Sequence, residues 1–145
     1  VYFDNLKNLF NFEKWQFILS IRLQGDASYP SWIIPNNYTE LPYKLLLRFL
    51  YFLFSPFIWD VSKISHLIGL IDGIVYFLLT FFIIKNYKKI IMNKLILFIF
   101  FIFILELFIF AIGTGNFGTG MRHRSKFLLL FIIFSFPYFP KIKFR

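Results

Sequence analysis

The stretch Gly113-Thr-Gly-Asn-Phe-Gly-Thr-Gly-Met-Arg-His-Arg-Ser-Lys126 concentrates most of the chemistry this chain can offer. Glycine lets a backbone approach a ligand closely and adopt positive φ. A run of exposed N–H groups can then form a nest for an anion. Arg122 and Arg124 carry planar guanidinium forks that grip phosphate or carboxylate. Lys126 adds a third cation, and His123 lies between the arginines as a potential acid or base. The pattern points to recognition of a phosphate or diphosphate. Gly115 and Gly118 would supply backbone donors, and Arg122, Arg124 and Lys126 would supply charge. The plainer reading is headgroup anchoring by basic residues at the end of an apolar segment.

Other polar residues stand apart from this run. Arg22 and Asp26, beside Gly25, are candidates for the same site, and Asp26 is a second candidate base. Asp72, Glu106 and His66 fall inside long apolar runs, where ionisable groups are rare and mark function. The structural alternative for Asp72 and Glu106 is an interhelical hydrogen bond. Asp72, between glycines, is placed to face a polar cavity and meet Arg48 or His66, although His66 is six residues away and not on the same helix face. Glu106 is a partner for Arg122 or for a residue of a missing half of the protein. Arg48, early in an apolar segment, is expected to snorkel to the headgroups. No metal site is expected, because two histidines without ligand spacing do not make one. Gly113-x-Gly115-x-x-Gly118 matches a dinucleotide fingerprint as text only. No short strand precedes it and no acid follows it. No cofactor is expected, and nothing resembles a serine or cysteine triad.

These residues must be positioned by apolar elements. The chain is 59% hydrophobic and 24% aromatic, more apolar surface than a soluble domain of 145 residues can hide. Ile64–Ile84 and Leu95–Ile112 are long enough to cross a hydrocarbon core of ~30 Å. Phe127–Phe139 is short for a crossing and contains Pro137. Leu45–Trp59, broken by Arg48 and Pro56, reads as a re-entrant or interfacial helix. Residues 1–44 mix polarity, with a rough helical period through Phe10, Phe17 and Ile21 and then a Pro- and Tyr-rich loop. The expected fold is an all-α polytopic transmembrane helical bundle with about three spans and one re-entrant or interfacial helix. Residues 1–44 form an extracytoplasmic segment, and 45–145 a membrane region with a glycine/arginine loop at 113–126. The chain opens on Val1 in mid-pattern, so it reads as a fragment, the C-terminal part of a larger protein. The absence of cysteine excludes disulfides.

The net charge of +9 is uneven. Lys85, Lys88, Lys89 and Lys94 crowd the connection between the two long apolar runs, which should therefore be cytoplasmic. Alternation then places Gly113–Lys126 outside, where topology does not explain Arg122, Arg124 and Lys126. The alternative is that Phe127–Phe139 does not cross and this loop is cytoplasmic. Charges that flank spans rather than line one face argue against nucleic acid.

Three stretches carry a family resemblance: Tyr51-Phe-Leu-Phe-Ser-Pro-Phe-Ile-Trp-Asp60, Ser65-His-Leu-Ile-Gly-Leu-Ile-Asp-Gly73 and Gly115-Asn-Phe-Gly-Thr-Gly-Met-Arg-His-Arg-Ser-Lys-Phe127. Together they resemble the C-terminal half of bacterial polytopic membrane proteins of surface-polysaccharide clusters. More loosely, they resemble oligosaccharide repeat-unit polymerases of the O-antigen type. The Phe57-Ile-Trp59 segment departs from the pattern, which would have a second proline. The resemblance implies an inner-membrane protein that transfers or polymerises sugars carried on undecaprenyl pyrophosphate at the outer face. Arginines of outer loops would hold the diphosphate, here Arg122 and Arg124. His123 or Asp26 would take the acceptor proton. Membrane lipids, a lipid-linked oligosaccharide and other polysaccharide-assembly proteins are the implied partners. A non-enzymatic subunit or a lipid-sugar transporter is the alternative.

Overall fold

The computed structural model describes residues 11–23 and 25–136, and these are helical with no strands among them. The helices are α1 (Phe12–Ile21), α2 (Leu41–Phe54), α3 (Ile64–Lys85), α4 (Tyr87–Met92), α5 (Lys94–Gly113), α6 (Phe117–Lys126) and α7 (Leu128–Ser135). Short 3-10 turns occupy Ser31–Ile33 and Ile58–Asp60. Of the expected N-terminal helical period, Phe10 lies outside the described residues, as does Pro137.

Asparagines start three of the helices. The side chains of Asn11, Asn93 and Asn116 each accept from two backbone N–H groups of the first turn of α1, α5 and α6. This is the usual satisfaction of orphan donors at a helix start. Pro42 occupies the first turn of α2, where a missing N–H costs nothing.

α3 and α5 are long and apolar enough to cross a membrane. Only 28% and 17% of their most apolar windows are buried within the chain, so most of their side chains face outward. Ile68, Ile71, Phe77, Phe98 and Phe101 are among these exposed apolar residues. Such a surface is suited to lipid rather than water.

α2 enters beside the end of α5 and stops partway along α3. A Cβ on Gly73 would lie 2.3 Å from the Phe54 carbonyl oxygen, so only glycine admits this helix end. Gly73 is nine residues into α3, about 13 Å from its start. The chain then returns past Gly69, which touches Pro56, to begin α3 at Ile64. The helix and its extended return form a hairpin packed against α3.

The glycine/arginine stretch is not the expected loop. Phe117–Lys126 is helical, and α7 follows after a break at Phe127. Phe117, Gly120, Arg124, Phe127, Phe131 and Phe134 are all buried and share one face. That face runs along α3: Met121 reaches Gly69, Phe131 packs on Tyr76, and the Phe134 carbonyl accepts from Asn86 Nδ2 at 2.9 Å. Phe103 of α5 fills the centre, with ring centroids 5.0 Å from Phe131 and 5.5 Å from Phe134.

Residues 25–40 close one end. Tyr29 N donates to Gly115 O and Phe117 N to Ala27 O, at 2.8 and 2.9 Å. Tyr29, Ile33, Tyr51 and Phe117 form a small second core beneath this cap. The lysines of the α3–α5 connection lie at the opposite end.

Candidate functional site

Below the cap, α2 presents Arg48, Phe52 and Ser55 to the Phe117–Gly120–Arg124 face of α6. Both arginines have zero exposure. Arg124 Nη1 donates to the carbonyls of Phe52 and Leu53, at 3.1 and 2.9 Å. Its Nη2 donates to Ser55 O at 2.9 Å and to Asp72 Oδ2 at 2.6 Å. The last carbonyls of a helix have no partner within it, and one left unpaired inside a protein costs ~1–3 kcal/mol. Arg124 fills those at the end of α2, and its charge opposes the negative pole of that helix. Asp72, 30% exposed at its side chain, supplies the counter-charge.

Arg48 is placed differently. Its Nη2 donates to Thr114 O at 2.7 Å and Ile112 O at 3.3 Å, at the end of α5. Its Nε and Nη1 have no partner, and among the described residues no carboxylate pairs with it. The expectation that it snorkels is corrected, because the cap and α5 enclose it. The nearby Tyr29 hydroxyl and the Ser55 hydroxyl face each other, yet neither closes a hydrogen bond of good geometry. Burial pushes the Tyr29 phenol up to about 12, so it is neutral and cannot balance Arg48.

The expected two-arginine clamp does not form. Arg122 and Arg124 are two residues apart on α6, which turns them about 200° away from each other. Arg122 is exposed while Arg124 is buried. The expected anion nest is also closed. The N–H groups of Gly118 and Thr119 donate to Asn116 Oδ1, and that of Phe117 to Ala27. Gly115 serves close packing: a Cβ there would lie 2.4 Å from Arg22 O.

The two candidate bases are not brought together. Asp26 is ion-paired with Lys63, whose hydrogen bond and charge hold its carboxyl below the usual range. His123 lies over Phe110, ring centroids 4.8 Å apart, with Nδ1 3.5 Å from Lys126 Nζ. His66 is buried against Phe117, and its Nδ1 accepts from Ser62 N at 3.3 Å, which ties down the start of α3. Glu106 is exposed on α5, one turn before Phe110. Among the described residues no group of three His, Asp or Glu is placed to hold a metal.

One surface feature does gather candidates. A pocket of about 390 Å³ opens between α1 and the start of α6, lined by Ile18, Ile21, Arg22, Asn116 and Thr119. Thr119, Arg122, Lys126, Leu129 and Ile133 then follow at helical spacing, and all are exposed. The face runs from polar through basic to apolar. Comparison with protein-family models, curated proteins and solved structures finds no match. The site's own chemistry therefore carries the reading. Arg22 is legible as a candidate from its type, whereas Thr119 and Ser55 are not; Tyr29, an aromatic of the type expected at headgroup level, is instead buried beneath the cap. The signal available was the Asn116 cap followed by an unbroken buried stripe from Phe117 to Phe134.

Proposed function

We propose that this chain belongs to a polytopic bacterial inner-membrane protein that handles undecaprenyl-pyrophosphate-linked sugars at the outer face, transferring or polymerising them. In this reading α3 and α5 are two crossings, α6 lies at the outer headgroup level, and α7 enters the hydrocarbon core as the start of the third. α2 is the re-entrant helix. The lysine end is cytoplasmic by the positive-inside rule, which turns the cap outward.

The observation that carries the reading is the graded face of α6 and α7. A lipid-linked sugar is itself graded, with a polar glycan, an anionic diphosphate and a long prenyl chain. The pocket at Arg22, Asn116 and Thr119 would take sugar hydroxyls. Arg122 and Lys126 would hold the diphosphate, and Leu129 and Ile133 would lie against the chain. The two cations would stabilise the departing diphosphate as the glycosidic bond breaks. His123, beside Lys126, would accept the proton of the attacking hydroxyl.

A second reading, a transporter of the same lipid-linked sugars, is favoured by the buried end of α2. Discontinuous helices inside a bundle are a device of transporters. The test is Arg122→Met in the full-length protein in its host. A transferase should keep its protein level, shorten the surface glycan and accumulate lipid-linked units on the outer leaflet. Accumulation on the inner leaflet would favour transport. Unchanged glycan would remove both.

A further inference from the structure

The end of the bundle opposite the cap gathers Lys85, Lys88, Lys89 and Lys94, all exposed, where α3 turns through α4 into α5. The sequence has no acid between Asp72 and Glu106, and none after Glu106. Asp72 stands ~20 Å along α3 from Lys85, and Glu106 ~18 Å along α5 from Lys94. Residues 137–145 add only Lys141, Lys143 and Arg145 to the charge of this half of the chain. The connection is therefore a concentrated patch of positive charge.

Beside this patch a groove of about 380 Å³ opens between α5 and α7. Ile96 and Ile99 of α5 line one side, and Leu130 and Ile133 of α7 the other. Lys89 is the one cation that lines it. Ile96 and Ile99 follow Lys94 by two and five residues, which is ~3 and ~8 Å along the helix. The groove is thus apolar immediately inward of the lysines. It is also preformed, because Asn86 at the end of α3 holds the Phe134 carbonyl of α7 at 2.9 Å.

We propose that this groove seats an acyl chain of one anionic glycerophospholipid, whose phosphate meets Lys89 and the lysines around it. The order of chemistry along the protein matches such a lipid, with charge at headgroup level and hydrocarbon directly beneath. Lysine side chains lay their stems on apolar surface and extend their ammonium groups to the headgroups. A basic cluster beside a crossing attracts anionic lipid. A zwitterionic lipid gains the same apolar contact but brings no net charge. The proposal rests on α3 and α5 crossing the membrane, not on the handling of lipid-linked sugars. Only Ile133 is shared with the face proposed to meet the prenyl chain.

The experiment is native mass spectrometry of the purified full-length protein, released from nanodiscs of equal phosphatidylglycerol and phosphatidylcholine. One phosphatidylglycerol should stay on each chain, favoured over phosphatidylcholine about tenfold. Lys89→Gln, an exposed change, should remove that preference, and Lys89→Arg should keep it. Leu130→Trp, which fills the groove but spares the lysines, should lower retention of both lipids. Arg122→Met should leave retention intact, so a failed sugar-lipid reading and a failed phospholipid site give different results. Equal retention of the two lipids by wild type would overturn the proposal. So would wild-type preference in Lys89→Gln. Retention that appears only after removal of residues 137–145 would also overturn it, because the chain's own tail would then be the occupant.

Discussion

Arg48 and Arg124 are the same residue type, equally buried and packed across one interface, but they solve different problems. Arg124 meets three carbonyls at the end of α2 and the carboxylate of Asp72. It lets a helix stop inside an apolar bundle, where exposed backbone would otherwise lack partners. Arg48 meets two carbonyls at the end of α5 and no acid among the described residues. One arginine is a completed cap. The other is a cap with charge left over. Burial alone therefore does not say what a cation does; its acceptors do.

The largest expected effect breaks the completed side. Arg124→Met leaves Asp72 and three helix-end carbonyls without their donor, a loss of ~3–5 kcal/mol. Arg124→Lys should rescue little, because one ammonium cannot reach four acceptors spread along a fork. Thermal unfolding of the purified variants checks both. Gly73→Ala comes next, at ~1–3 kcal/mol, because its methyl group would strike the Phe54 carbonyl and shift the acceptors that Arg124 holds. Arg48→Met should cost about 1–2 kcal/mol, the penalty of two unpaired carbonyls offset by removal of an unbalanced charge. A loss at Arg48 as large as at Arg124 would mean that the two sites are not different in kind.

Arg122→Met should leave the melting temperature unchanged while shortening the glycan. That outcome would separate exposed from buried arginine on a single helix. The smallest effect is at Lys63→Met, which removes the surface partner of Asp26. Exposed pairs of this kind add little, so the melting curve at pH 7 should move only slightly. Asp26 has a lowered pKa in the folded chain. Whatever the pair contributes is therefore present above the unfolded value near pH 4 and lost as pH falls through the lowered one. A pH series of Lys63→Met against wild type should diverge only above that window, and only slightly.

Hydropathy made the two long helices legible: Ile64–Ile84 became Ile64–Lys85, and Leu95–Ile112 became Lys94–Gly113. The turn-back at Ser55–Pro56 was legible too, because proline and a short apolar run do not make a full crossing. The helix at Phe117–Lys126 was not. Gly118 and Gly120 lower its helix propensity, and with Gly113 and Gly115 just before them they read as loop. Tertiary packing overrides them, since Gly120 admits Tyr29 and Asn116 caps the start. Reading Phe127 as the start of an element hid the period that runs through Phe117, Gly120, Arg124 and Phe127. Once Arg124 was assigned to a loop, pairing it with Arg122 followed, and the helix separates them. Asp72 was rightly marked as seeking a cation, but its partner is Arg124, 52 residues away and invisible to local spacing.

The most direct measurement compares Arg124→Met with Arg122→Met by thermal unfolding in the same nanodiscs. A drop of about 10 °C or more is expected for Arg124→Met, with no change for Arg122→Met. Equal melting temperatures, or a larger drop for Arg122→Met, would contradict the assignment of Arg124 to the end of α2.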